Sequence, residues 1–192
     1  MRPTPLLVLA VLVLASQADY LREAVTLGRT RDEALFASFN KSYELAASGV
    51  IDRAEIITEF RRAVLIERDQ VRQGDYTFGP EDLAKAMTPL KGVVTFIVQV
   101  RLHPQNTYQK EPAYDLYIST GPKSPPIASK TLKREAVYAL GTGGPGTPPQ
   151  GVKLEASFPR PAIEGAASPF LVVTDDKAEI LWQARIDLSR YR

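Results

Sequence analysis

Val93-Val94-Thr95-Phe96-Ile97-Val98-Gln99-Val100-Arg101-Leu102-His103 alternates residue by residue between two environments. Val94, Phe96, Val98, Val100 and Leu102 share one side, while Thr95, Gln99, Arg101 and His103 share the other. A period of two marks a strand with one face on a core and one towards solvent. The stretch decides the fold because the chain before Lys91-Gly92 follows a different rule.

Upstream, apolar residues recur at helical spacing. Tyr20, Leu21, Ala24 and Val25 predict a short helix ending near Gly28. Thr30 and Glu33 fit a capping box, followed by Leu35, Phe36, Phe39, Tyr43 and Ala46 on one face and a stop at Gly49. Asp52 and Glu55 repeat the capping-box spacing, with Ile51 and Ile56 as the hydrophobic staple. They predict a third helix whose stripe is Ile56, Phe60, Ala63, Val64 and Val71. Gly79-Pro80 opens a short fourth helix that ends before Pro89.

Downstream, alternation returns in Tyr114-Leu116-Ile118, Val152-Leu154-Ala156-Phe158 and Ile180-Trp182-Ala184-Ile186-Leu188. Phe170 to Thr174 reads as another strand, joined to the last by a turn at Asp175-Asp176-Lys177. Residues 127–138 can hold one more. The expectation is an α+β protein. Residues 19–91 form a segment of three to four helices, and residues 92–192 an antiparallel β-sandwich of immunoglobulin-like type. A Gly/Pro-rich loop spans residues 141–151.

The N-terminus carries an address. Arg2 precedes an unbroken apolar run from Leu6 to Ala15, and Ser16-Gln17-Ala18 places small residues where a signal peptidase reads, just before Asp19. That is the layout of a secretory signal peptide over residues 1–18. Its ten apolar residues fall short of the about 20 needed to cross a bilayer. The expected location is therefore periplasmic or secreted, with no transmembrane segment after the leader is removed.

Composition narrows the chemistry. Hydrophobic residues make up 44% and charged residues 24%, an ordinary globular balance. The formal charge of +2 gives little field to attract nucleic acid. Cysteine is absent and His103 is the only histidine, which argues against zinc, iron or copper and against disulfide staples. No cofactor is expected.

Several motifs invite chemistry and then lack a part. Gly141 and Gly146 have P-loop separation, but Thr147-Pro148-Pro149 follows where Lys and Ser or Thr are required. Ser38-Phe39-Asn40-Lys41 matches the S-x-x-K of penicillin-recognising enzymes, without the S-D-N or K-T-G elements. His103 has no nucleophile elbow to serve. Asp115, Glu155 and Asp187 project from strands, where a glycosidase-like pair is possible but ion pairs with residues such as Lys153 and Arg185 are simpler. Asp175, Asp176 and Glu179 offer oxygens for calcium, though aspartates also build turns unaided.

What remains is a binding surface. The expected function is a non-catalytic binding or assembly module of the cell envelope or secreted space, with an envelope protein or glycan as partner. Gln99, Arg101 and His103 lie on one strand face, with Tyr108 and Tyr117 as polar-phase aromatics, and these are the candidate contact residues. The alternative is an envelope glycan or peptide hydrolase using paired carboxylates.

Overall fold

A computed structural model describes residues 19–108, 111–121, 125–139 and 147–191. The expected signal peptide and most of the expected Gly/Pro-rich loop lie outside the described residues. Helices and antiparallel sheets are both present, so the protein is α+β. Among the described residues, no helix is long and apolar enough to cross a membrane.

The chain forms two compact units that interleave in sequence. The described residues through Lys41 join Glu59–Lys91 in a helical unit, while Ser42–Thr58 joins Gly92–Arg192 in a sheet unit. The helical unit holds α1 (19–28), α2 (Glu33–Lys41), α3 (Glu59–Arg72) and α4 (Pro80–Met87), the last continuing into a 3₁₀ turn at Thr88–Leu90. Its core is Leu21, Ala24, Phe36, Phe60, Ala63, Val64, Leu83 and Met87. Phe60, Ala63, Val64 and Glu67 fall at helical spacing on the buried side of α3. A carboxylate thus ends a stripe that otherwise reads as apolar. Gly28 is a matter of space here, because a Cβ on it would lie 2.7 Å from the Glu67 Cβ and 2.9 Å from the Val64 carbonyl oxygen.

Three expectations for this region need correction. The helix read from Asp52 is a strand, β1 (Ile51–Ile57), and α3 begins at Glu59. The Ile-Asp-x-x-Glu-Ile spacing that imitates a capped helix instead contains a β-bulge at Asp52. The cap of α2 is Asp32, whose carboxylate accepts from Leu35 N at 2.9 Å; Thr30 only accepts from Asp32 N, and Glu33 pairs with Arg68. Finally, α2 stops at Lys41, so Tyr43 falls outside it and is buried in the sheet unit, and within α2 Phe36 is buried while Leu35 is exposed.

In the sheet unit, β1, β2 (Val93–Arg101), β3 (Asp115–Ser119), β4 (Thr131–Val137), β5 (Gly151–Pro159), β6 (Phe170–Thr174) and β7 (Ile180–Arg185) make two sheets. One has the order β1-β2-β5-β4 and the other β3-β6-β7, with every pairing antiparallel. A short helix, α5 (Arg160–Glu164), follows β5. The apolar row of the opening stretch is realised as read, with Val94, Phe96, Val98 and Val100 buried opposite Phe158, Ala156, Leu154 and Val152. Thr95, read on the solvent side, is buried as well, its hydroxyl 2.8 Å from that of Ser157. Phe96 and Phe158 meet edge to face with centroids 5.9 Å apart, the arrangement aromatic quadrupoles favour. In the second sheet Leu116, Ile118, Leu171, Val173 and Trp182 are buried. The turn from β6 to β7 lies where the aspartates placed it, and Ala178 takes a positive φ of 63° there.

Candidate functional site

At one end of the four-stranded sheet, two loops and three strands line a cavity of about 440 Å³. Gln99 and Arg101 reach it from the outward face of β2. Pairing explains the rest: Asp52 sits at the bulge near the start of β1, residues 102–106 leave β2, and residues 148–150 lead into β5. Asp52 therefore arrives beside Arg101, with Asn106 and Gln150 adding amides and Leu102, Pro104, Val137, Pro148 and Pro149 adding apolar walls.

Arg101 is positioned rather than loose. Its Nη1 lies 3.3 Å from Asp52 Oδ1, its Nη2 donates to Gly49 O at 3.2 Å, and its backbone N–H donates to Val50 O at 2.8 Å. Gly49 has a φ of 63°, a left-handed conformation that glycine adopts without strain. The side chain of Arg101 remains 60% exposed, so a ligand can still reach it. Asn106 ties the opposite rim together, because its Nδ2 donates to His103 O at 2.8 Å and to Pro149 O at 3.0 Å. Leu102 N donates to Gln150 O at 2.8 Å, closing the floor.

The five residues read from the sequence do not converge on one place. Gln99 and Arg101 share the cavity. His103 is exposed at the β2 exit, where Nδ1 accepts from Gln105 N at 3.2 Å, and it is not part of the cavity wall. Tyr108 is exposed and acts on Tyr114 instead. The Tyr114 hydroxyl is held above the usual tyrosine range, first by burial and then by Tyr108, Asp175 and Asp176. Tyr117 is half-buried in β3, paired with Val172 of β6 in the three-stranded sheet, away from the cavity wall. Asp52, Asn106 and Gln150 were missed. Asn106-Thr107 after His103-Pro104 is a turn signal, but nothing in it reports that the turn closes against residue 149.

The carboxylates are otherwise engaged. Asp115 pairs with Arg134 at 3.7 Å. Glu155 is half-buried in β5, cross-strand from Lys133. Asp187 accepts from Ser189 Oγ at 2.6 Å and Ser189 N at 3.1 Å, and these bonds hold its carboxyl below the usual range. The Lys153 ammonium at 2.8 Å does the same for Glu135. Asp175 Oδ1 accepts from the amides of Lys177 and Glu179, the role of a turn aspartate. Among the described residues, no group of three or more such side chains is placed to hold a metal ion. Ser38 and Lys41 both lie exposed on α2.

Comparison with protein-family models, with curated proteins and with solved structures finds no match.

The helical unit has its own cavity, of about 520 Å³, bordered by Arg29, Arg31, Glu33, Arg68, Arg72 and Tyr76. Most of its guanidinium groups are spoken for. Arg29 Nε donates to Glu67 at 2.5 Å, Arg68 bonds Glu33 and Thr30 O, and Arg72 lies 3.9 Å from Asp69. These pairs hold the turn between α1 and α2 against α3, and the local charge is close to balanced.

Proposed function

We propose that this protein is an exported, non-catalytic binding module of the cell envelope or secreted space, and that it takes its ligand at the cavity around Arg101. The observation that carries the reading is the convergence of Gln99 and Arg101 with Asp52, Asn106 and Gln150 on one cavity at a sheet end. Loops at the end of an antiparallel sheet pair are a recurrent place for ligands. The reading takes the two sheets to stack as an immunoglobulin-like sandwich. The buried rows Val94-Phe96-Val98-Val100 and Leu116-Ile118 support that stacking. Export rests on the leader-like first 18 residues.

The cavity wall combines proline and aliphatic faces with three side-chain amides and one Arg–Asp pair. That chemistry suits an extended peptide, whose backbone amides pair with Gln and Asn and whose side chains lie on proline. A sugar would be expected to stack on an aromatic ring, and none is in the wall among the described residues. Against the hydrolase alternative, Asp52 is the single carboxylate of the cavity wall among the described residues and is committed to Arg101. The carboxylates with displaced pKa, Asp75, Glu135 and Asp187, move downward, the wrong direction for a general acid.

The test places a photo-crosslinking residue at Gln99 and, as a control, at Glu164, and exposes each chain to envelope extract. A discrete product formed only from position 99, and lost with Arg101→Ala, supports the reading. Equal labelling from both positions, or none at position 99, overturns it.

A further inference from the structure

A sheet edge offers a row of unpaired N–H and C=O groups to any strand that arrives. In the sheet unit, three of the four edges are guarded. Residues 43–45 cover β1, with Leu45 N donating to Ala54 O at 2.8 Å and Ile56 N to Tyr43 O at 3.0 Å. Ile127 covers β3 through reciprocal bonds with Ile118 of 2.8 and 3.2 Å. On β4, Arg134 stands opposite buried Leu154 and donates to Tyr114 O at 2.6 Å, an inward-facing charge of the kind that discourages edge pairing.

β7 has no such guard among the described residues. Ile186 N donates to Pro169 O at 2.8 Å. In the antiparallel alternation, Ala184 and Trp182 therefore also turn their backbone towards β6, while Gln183 and Arg185 turn theirs outward. No backbone or side-chain hydrogen bond reaches those outward groups among the described residues. A register shift opposite Val173–Thr174 twists the start of the strand and leaves Trp182–Arg185 regular. Ile180, at the twisted end, is 60% exposed.

We propose that β7 pairs antiparallel with β7 of a second copy of this chain, joining two three-stranded sheets edge to edge across a two-fold axis. Charge selects that occupant. Glu179 precedes the strand and Arg185 closes it, so a two-fold antiparallel copy sets a negative end beside a positive end at both extremities. Parallel pairing would set like beside like. A two-fold interface repeats each favourable contact, and the exposed Ile180 is brought towards the arriving strand in both copies.

Sedimentation equilibrium of the purified full chain over a wide concentration range tests this. The expected result is a monomer–dimer equilibrium that Gln183→Pro weakens by about tenfold or more, since proline deletes one outward N–H and leaves the bonds to β6 in place. Glu179→Arg and Arg185→Glu should each weaken self-association, whereas mixing the two variant chains should restore it as a heterodimer. That restoration cannot come from damage within one chain, which covers the contact Arg185 already has with Asp187. A chain that stays monomeric throughout, or a dimer indifferent to Gln183→Pro and to the mixing, overturns the proposal.

Discussion

Arg29→Ala is expected to destabilise the helical unit more than Glu67→Gln, although both remove the same ion pair. The asymmetry follows from burial. The Glu67 side chain is 0% exposed and its Oε2 has no hydrogen-bond partner among the described residues, whereas the Arg29 side chain is 39% exposed. Arg29 Nε donates to Glu67 Oε1, and Nη2 donates to Phe78 O, both at 2.5 Å. Removing Arg29 strands a buried carboxylate, which costs about 3–5 kcal/mol when a partner of a buried pair is deleted; partial exposure of the pair points to about 3. Glu67→Gln keeps the shape and an acceptor for Arg29, and a half-exposed guanidinium recovers hydration, so about 1 kcal/mol is expected. The double variant leaves a buried neutral amide short of one bond, about 1.5 kcal/mol, which implies a coupling of about 2–3 kcal/mol. Urea unfolding followed by helical circular dichroism reads the helical unit, while the single tryptophan, Trp182, reports on the sheet unit by fluorescence. Arg29→Ala costing no more than Glu67→Gln would show that water reaches Glu67, and the reasoning would fail.

Other expectations follow from the same contacts. Phe96→Ala removes a fully buried ring from its edge-to-face partner Phe158 and should cost about 3–5 kcal/mol, read as a lower urea midpoint of Trp182 fluorescence. Ala178→Gly relieves a φ of 63° in the β6–β7 turn. After the entropy glycine adds to the unfolded chain, it should stabilise by about 0.5–1 kcal/mol in thermal unfolding. Asp187 is held below its ordinary value of 3.8, chiefly by its bond from Ser189. Its contribution is therefore present above the ordinary carboxylate range and lost as the pH falls through its lower folded value. Ser189→Ala should flatten the acid limb of the stability–pH curve, measured by urea unfolding across that range.

The strands β2 and β5 were legible because each has one face on a core, so Val94 to Leu102 and Val152 to Phe158 carry the period openly, whereas β4 buries no side chain and shows no such alternation. β1 was not. Its bulge at Asp52 breaks the alternation, and Ile51, Asp52, Glu55 and Ile56 reproduce the spacing of a capped helix. Local chemistry there is ambiguous, and pairing with β2 decides it. The site divides in the same way. Gln99 and Arg101 could be read because strand phase sends them outward. Asp52, Asn106 and Gln150 reach the cavity through contacts between residues far apart in sequence, which no local pattern reports. Glu67 was hidden for the converse reason, a charge in a position whose spacing marks it as core.

Because β1 is separated from β2 by the whole of Glu59–Lys91, the sheet unit is begun during synthesis before the helical unit is finished, and it can be completed only afterwards. β1 leaves the ribosome first and waits, its edge unpaired, while α3 and α4 are made and join α1 and α2. Only then does β2 arrive to close the sheet, which adds loop-closure entropy to a pairing that is already non-local. A protease cut or expression boundary at Lys91–Gly92, where the hydrophobic period changes, would carry an edge strand away with the helices. The sheet fragment would then expose the flank of β2 that β1 normally covers, including buried Phe96 and Val98, and aggregation through that flank is the expected fate of the fragment.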